Sequence, residues 1–293
     1  MAQRLLVAAL AFWASAAFGQ DSKGPAPIAP NSPQGNELVL LETGDLPVIL
    51  SAPHGGTKDV PGASPRKGEG LKKVPGGFVT GRDVNTDALT LKLAEALEAK
   101  TGKRPYLAVA RFHRKFVDAN RAPQEAYEQE AAKRVYDAYH AGLDKFAREV
   151  RKRFKSGLLL DLHGQSSDPT TIFRGTRNGK TVALLVERFG KKAHVGAESF
   201  FGLMKAQGLN GFPLEDDRER AGFTGGYIVG TYGSDGGYGI DAIQLEFGGD
   251  FRKPAAQADT AKKLAVAIEE FTKRYLPGAD SPATKSPRAG AQP

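Results

Sequence analysis

Between residues 37 and 276 the chain alternates short apolar runs with longer stretches whose apolar positions step by three or four. Val48–Ala52, Leu158–Leu162 and Ala242–Phe247 are nearly continuous apolar runs, the pattern of strands buried on both faces of a parallel sheet. Glu37–Leu41 and Pro47–Ala52 read as strands around a turn at Gly44-Asp45, and Arg104–Phe112 as a further strand with Pro105 at its start. Thr86–Lys100 places Ala88, Leu89, Leu91, Leu93, Ala94 and Leu97 at helical spacing. Glu125–Phe154 reads as one long helix whose stripe (Val135, Tyr139, Leu143, Phe146, Val150) belongs to a core. Thr171–Phe173 and Val182–Leu185 read as short extended or mixed pieces, Ser199–Gly208 as helical, and Ala256–Tyr275 as a closing helix. Gly225–Gly239 holds seven glycines and three tyrosines, which predicts a mobile loop with a short strand at Tyr227–Val229. Strands alternating with helices predict an α/β fold: a mostly parallel or mixed sheet sandwiched by helices.

The ends differ from this middle. Arg4 followed by the apolar stretch Leu5–Phe18 and the small residues Ala17-Phe18-Gly19 predicts a secretory signal over 1–19, and hence a periplasmic or secreted protein. The stretch is short for a membrane span, so no stable membrane anchor is expected. Residues 20–36 read as a flexible lead-in, 37–276 as a single α/β domain, and 277–293 as a disordered tail. The 293 residues contain no cysteine, which excludes disulfides and thiolate metal ligands. Net charge is +8, but no nucleic-acid motif accompanies it. The basic cluster Arg148, Arg151, Lys152, Arg153 and Lys155 reads as a solvated helix face.

Of five histidines, His54 and His163 stand apart. Each follows an apolar strand and precedes a glycine (Pro53-His54-Gly55-Gly56 and Asp161-Leu162-His163-Gly164), so each falls at the carboxyl edge of the sheet, where open α/β folds bind ligands. Glu246 is delivered in the same way by Gln244-Leu245-Glu246-Phe247. Two imidazoles and a carboxylate from distant segments are the parts of a catalytic zinc site, which needs three protein ligands and an open position. Asp59, Asp83, Asp87 and Glu246 are the candidate third ligands. His140 and His194 read as structural, and His113 lies among Arg111, Arg114 and Lys115 without an evident role.

The order Pro53-His54-Gly55-Gly56, Asp83 before the Leu91–Leu97 helix, Arg111, Val117-Asp118-Ala119-Asn120-Arg121, Asp161-Leu162-His163-Gly164 and Gln244-Leu245-Glu246 resembles the N-formylglutamate amidohydrolase family over roughly residues 46–252. The resemblance implies a phosphorylase/hydrolase-like α/β sandwich related to zinc carboxypeptidases. It implies zinc bound by His54, Asp83 and His163, and Glu246 as general base. It also implies Asn120-Arg121 as a clamp for the carboxylate of a small-molecule or short-peptide substrate. Asp161, two residues before His163 on a strand, shares its face and is placed to support it. From its charge and position Arg174 is expected to stabilise an oxyanion.

Zinc carboxypeptidases carry a glutamate three residues after the first histidine, where this chain has Thr57. The segment Arg174–Lys180 and the glycine-rich Gly225–Gly239 loop also depart from the pattern expected of cytoplasmic histidine-degrading enzymes. With export, they favour a related amide, in a peptide or a cell-envelope polymer, beside N-formylglutamate itself. Two rival readings are a non-catalytic binding protein for a carboxylate ligand and a serine hydrolase built on Gly164-Gln165-Ser166-Ser167-Asp168. The latter lacks the final glycine of a nucleophile elbow.

Overall fold

The core is a seven-stranded mixed sheet whose central strands are the apolar runs themselves. A computed structural model describes residues 37–72 and 77–276; the expected signal segment, lead-in and tail lie outside the described residues. In chain order the strands are β1 (Val39–Glu42), β2 (Val48–Ala52), β3 (Tyr106–Ala110), β4 (Leu158–Gly164), β5 (Ile172–Gly175), β6 (Gly211–Phe212) and β7 (Asp241–Phe247). They lie in the order β1-β3-β2-β4-β7-β5-β6. β3, β2, β4 and β7 are parallel, while β1 runs antiparallel to β3 and β5 antiparallel to β7, with β6 parallel to β5.

Alternation along the central strands sorts their side chains into two cores. Val48, Leu50, Leu160 and Leu162 face α1 (Thr86–Thr101) and α8 (Pro254–Tyr275), where Leu89, Leu93, Leu264 and Ile268 complete one apolar cluster. Ile49, Leu159 and Ala242 face α3 (Glu130–Phe154), whose Val135, Tyr139, Leu143, Phe146 and Val150 form the other. Helices thus cover both faces, as parallel strands require. Ser51, Asp161, His163, Gln244 and Glu246 continue the α3-facing rows, so polar groups appear on that face as the strands reach their carboxyl ends.

Three expectations change. The helix expected over 125–154 is two, α2 (Pro123–Ala126) and α3. Val182–Leu185 is helical, entering α4 (Ala183–Phe189). The segment expected to form a mobile strand-bearing loop contains a helix, α6 (Tyr227–Tyr232), whose Ile228, Val229 and Tyr232 are buried. Tertiary packing of those residues against the α3-side core overrides the loop-like composition around them. The remaining helices are α5 (Phe200–Ala206) and α7 (Gly249–Arg252). Among the described residues no helix is long and apolar enough to cross a membrane.

Candidate metal centre

His54 lies just beyond β2 and His163 near the end of β4. Their rings meet edge to face with centroids 4.8 Å apart. The glycine after His54 is required by neighbouring backbone, and the one after His163 packs against the Arg252 guanidinium. A Cβ on Gly55 would lie 2.5 Å from the Asp87 backbone nitrogen, and one on Gly164 would lie 2.6 Å from Arg252 Cζ. Close packing of both turns against other elements fixes where the imidazoles point.

Asp83 completes the group. It precedes α1 and is tied to the first histidine, its backbone N–H donating to the His54 carbonyl at 3.0 Å. Its Oδ2 lies 3.4 Å from His54 Nδ1 and 3.2 Å from His163 Nδ1. Tetrahedral ligands at zinc-like bond lengths sit about 3.3 Å from one another, so this spacing matches a shared cation. The opposite nitrogens are engaged by carboxylates: His54 Nε2 lies 2.7 Å from Asp118 Oδ1 and His163 Nε2 2.8 Å from Asp161 Oδ2. A carboxylate at Nε2 keeps the proton there and directs the Nδ1 lone pair inward, the arrangement that orients histidine ligands. His54 Nδ1 is buried and makes no hydrogen bond. A buried polar atom without a partner is costly, and a cation between the two Nδ1 atoms would satisfy it. The residues therefore fit a metal ion held by His54, Asp83 and His163.

The carboxylate behind His54 is held charged. Asp118 is buried and receives two hydrogen bonds from Arg114, at 2.9 and 2.8 Å. Burial would push its carboxyl up, but the adjoining His54 ring and the Arg114 guanidinium outweigh it and hold Asp118 well below the usual carboxylate range. Asp83 behaves likewise, its neighbours His163 and His54 overcoming burial. Asp161 accepts from Ser51 Oγ at 2.7 Å, and Ser51 Oγ lies 2.8 Å from the Tyr139 hydroxyl, tying the site to α3.

Glu246 lies directly opposite His163 across the β4–β7 pair. Its Oε1 accepts from Gln244 Nε2 at 2.7 Å, and burial pushes its carboxyl up. A buried carboxylate of raised basicity beside a metal centre is suited to accept a proton. Asn120 reaches the same network: its Nδ2 donates to Gln244 Oε1 at 3.2 Å and its Oδ1 accepts from the Ile228 backbone N–H at 2.8 Å. Arg121 stands at the edge, partly exposed, with Nε 4.0 Å from Asp118 Oδ2.

Of the other candidate ligands, Asp59 is exposed and paired with Lys115, and Asp87 packs against Gly55. Arg174 departs from the expected oxyanion role. It lies opposite Leu245 in the β5–β7 pair, so it faces the other side of the sheet from Glu246. There it is 1 % exposed, contacts Glu219 at 3.3 Å and donates to the carbonyls of His194, Pro213 and Asp216. Its guanidinium is an internal strut. The basic cluster on α3 also has internal partners: Arg148 binds Asp144, and Arg153 binds Asp45 and the Gly44 carbonyl.

Sequence reading assigns no supporting role to Arg114, Gln244, Ser51 or Tyr139, and meets Asp118 only within the Val117–Arg121 motif. One signal was available. Asp161-x-His163 and Gln244-x-Glu246 share the two-residue spacing that puts both members on one face of a strand.

This arrangement can be set beside known structures. The chain is similar to an N-formylglutamate amidohydrolase from Ralstonia eutropha JMP134, with 19 % identity, a TM-score of 0.51, and coverage of 81 % of this chain and 99 % of that one. It is likewise similar to a gene product of Agrobacterium tumefaciens, with 15 % identity, a TM-score of 0.51, and coverage of 81 % and 96 %. The likeness is one of fold. No protein-family model matches the chain, and no curated protein sequence matches it.

Proposed function

We propose that this chain is an exported zinc-dependent amidohydrolase that cleaves an amide bond in a small molecule or short peptide bearing a carboxylate. The observation that carries the reading is the convergence of two imidazole Nδ1 atoms on Asp83 Oδ2, at 3.4 and 3.2 Å. The unpartnered His54 Nδ1 lies at that point. With no cysteine in the chain, a nitrogen and oxygen donor set with one position left for water suits catalytic zinc. The fold shared with an amidohydrolase supports the same reading.

Zinc, when bound, supplies a water of lowered pKa and polarises the scissile carbonyl. The protein does the rest. Glu246 takes the proton from the attacking water and returns it to the leaving amine nitrogen, so one carboxylate serves as base and then acid. Gln244 holds Glu246 for that transfer, while Asn120 couples Gln244 to the start of α6. Arg121, with its partly exposed guanidinium, is placed to bind the substrate carboxylate. Export rests on the apolar stretch within residues 1–19.

The test is metal analysis of the purified protein, with hydrolysis of N-formyl and N-acetyl amino acids followed before and after chelation. One equivalent of zinc and activity restored by zinc are expected. Absence of stoichiometric metal, with no activity on adding it, would replace this reading with that of a carboxylate-binding protein.

A further inference from the structure

We propose that a cavity beside Arg121 selects the side chain of the substrate, and that it takes an apolar amino acid in preference to glutamate. This rests on the amidohydrolase reading above for the orientation of the substrate. The cavity measures about 330 Å³ and is lined by Arg66, Leu71, Phe78, Val79, Asp118 and Arg121 among others. That is at the small end of ligand pockets, about 300–1,000 Å³, and suits one amino-acid unit. Asp118 belongs both to this lining and to the support of His54, so a single carboxylate links the cavity wall to the metal centre.

Two features indicate the occupant. Phe78 and Val79 are 47 % and 37 % exposed, and with Leu71 they give the cavity an apolar wall that a ligand side chain would cover. Arg66 is only 5 % exposed, yet its Nε is buried without a hydrogen-bond partner. Its Nη2 is fixed by the Val79 and Arg114 carbonyls, and its guanidinium lies 5.0 Å from the Phe78 ring centroid. A ligand carboxylate bound by Arg121 would share the cavity with the Arg66 guanidinium, whose charge favours it. The lining holds three cations against two acids, and one acid, Asp118, is already matched by Arg114. The wall is also built in place. Ser64 N–H donates to Gln129 Oε1 at 2.8 Å, Lys67 N–H to Glu128 Oε1 at 2.9 Å, and Arg66 N–H to the Lys115 carbonyl at 2.8 Å.

An apolar side chain on the carboxylate-bearing unit would lie against Leu71, Phe78 and Val79. A glutamate there would press a second carboxylate against the same groups, which is unfavourable. The test uses the zinc-loaded full chain and calorimetric binding of N-acetyl-leucine, N-acetyl-glutamate and N-acetylglycine. The leucine derivative is expected to bind tighter than the glycine derivative by on the order of tenfold or more, from burial of its side chain. Glutamate should gain no such advantage. Phe78→Ala, at a half-exposed position that leaves the fold intact, should narrow the leucine–glycine gap. Equal binding of leucine and glycine, tightest binding of glutamate, or no binding of any of the three overturns the proposal. Hydrolysis is read separately. Absence of turnover with the leucine preference intact would count against the amidohydrolase reading and leave the subsite standing.

Discussion

Replacing Asp118 by asparagine isolates the support behind His54, because size is kept while charge is lost. In the native site one carboxylate oxygen lies 2.7 Å from His54 Nε2, and the other accepts from Arg114 at 2.9 and 2.8 Å. The amide can still accept from His54 through its oxygen, but its NH2 then faces the Arg114 donors. Two consequences should be separable. Loss of a carboxylate behind a histidine ligand weakens metal binding by about 10- to 100-fold, equivalent to about 1.4–2.7 kcal/mol. Breaking a buried ion pair by removing one partner costs about 3–5 kcal/mol. Arg114 retains 12 % side-chain exposure and a second carboxylate, Asp83, 3.6 Å from its Nη1, which places this loss at the lower end, about 3 kcal/mol. In a domain of this size that corresponds to a fall in Tm of roughly 6–12 °C. Zinc affinity is measured by competition with a chromogenic chelator, and stability by melting in excess chelator. Both should fall. A lowered Tm with unchanged zinc affinity would refute the reasoning, since Asp118 would then support the fold without orienting a ligand.

Glu246→Gln should keep zinc and lose about 10²–10⁴ in kcat; near-normal turnover with full metal occupancy would remove Glu246 from the mechanism. Arg174→Met should lower stability by about 3–5 kcal/mol, because Glu219 stays buried without its partner. Turnover per folded molecule should be unchanged, whereas a selective fall in kcat would restore the oxyanion role. Burial pushes His140 down to about 4 from 6.5, so the unfolded chain takes up a proton between those values that the folded chain refuses. Stability should therefore decline as pH falls from 6.5 to 4, with His140 contributing at most about 3 kcal/mol. Denaturant titrations across that range should give a shallower decline for His140→Gln, and an equally steep one would contradict the assignment.

The sequence made the strands and the histidines legible for the same physical reason. Val48–Ala52, Leu158–Leu162 and Ala242–Phe247 are apolar because both faces of those strands are covered, and the first polar residues after such runs mark the sheet edge. Asp83 could be singled out from Asp59, Asp87 and Glu246 only through resemblance, since its approach to two distant imidazoles depends on tertiary packing that no local pattern encodes. Arg174 was misread for a related reason. Its position near a functional segment was visible, but the antiparallel course of β5 and the resulting side of the sheet were not. Around α6, glycine-rich composition concealed the buried Ile228, Val229 and Tyr232, and the Ile228 and Gly226 backbone N–H groups that donate to Asn120 and Gln244. A Cβ on Gly226 would lie 2.2 Å from Asn120 Nδ2, so at least this glycine serves close packing.

The absence of an acid at position 57 follows from the path of the backbone. A third ligand must stand about 3.3 Å from both Nδ1 atoms, so it has to come from a segment pinned beside His54. The chain after His54 is clamped by its glycines: a Cβ on Gly55 would lie 2.5 Å from the Asp87 nitrogen, and one on Gly56 would lie 2.4 Å from the Arg111 carbonyl carbon. Threaded between α1 and the end of β3, it emerges with Thr57, Lys58 and Asp59 exposed. A side chain at 57 therefore points away from the buried imidazoles. The segment before α1 meets the requirement instead. Asp83 N–H is bonded to the His54 carbonyl, and the Asp83 carbonyl accepts from Thr86 Oγ1 at 2.9 Å. Its Oδ2 also accepts from the Gly164 backbone N–H at 3.0 Å. One carboxylate is thereby anchored to both histidine-bearing turns, so the contacts that pack α1 against the sheet edge also set the spacing of the donor atoms.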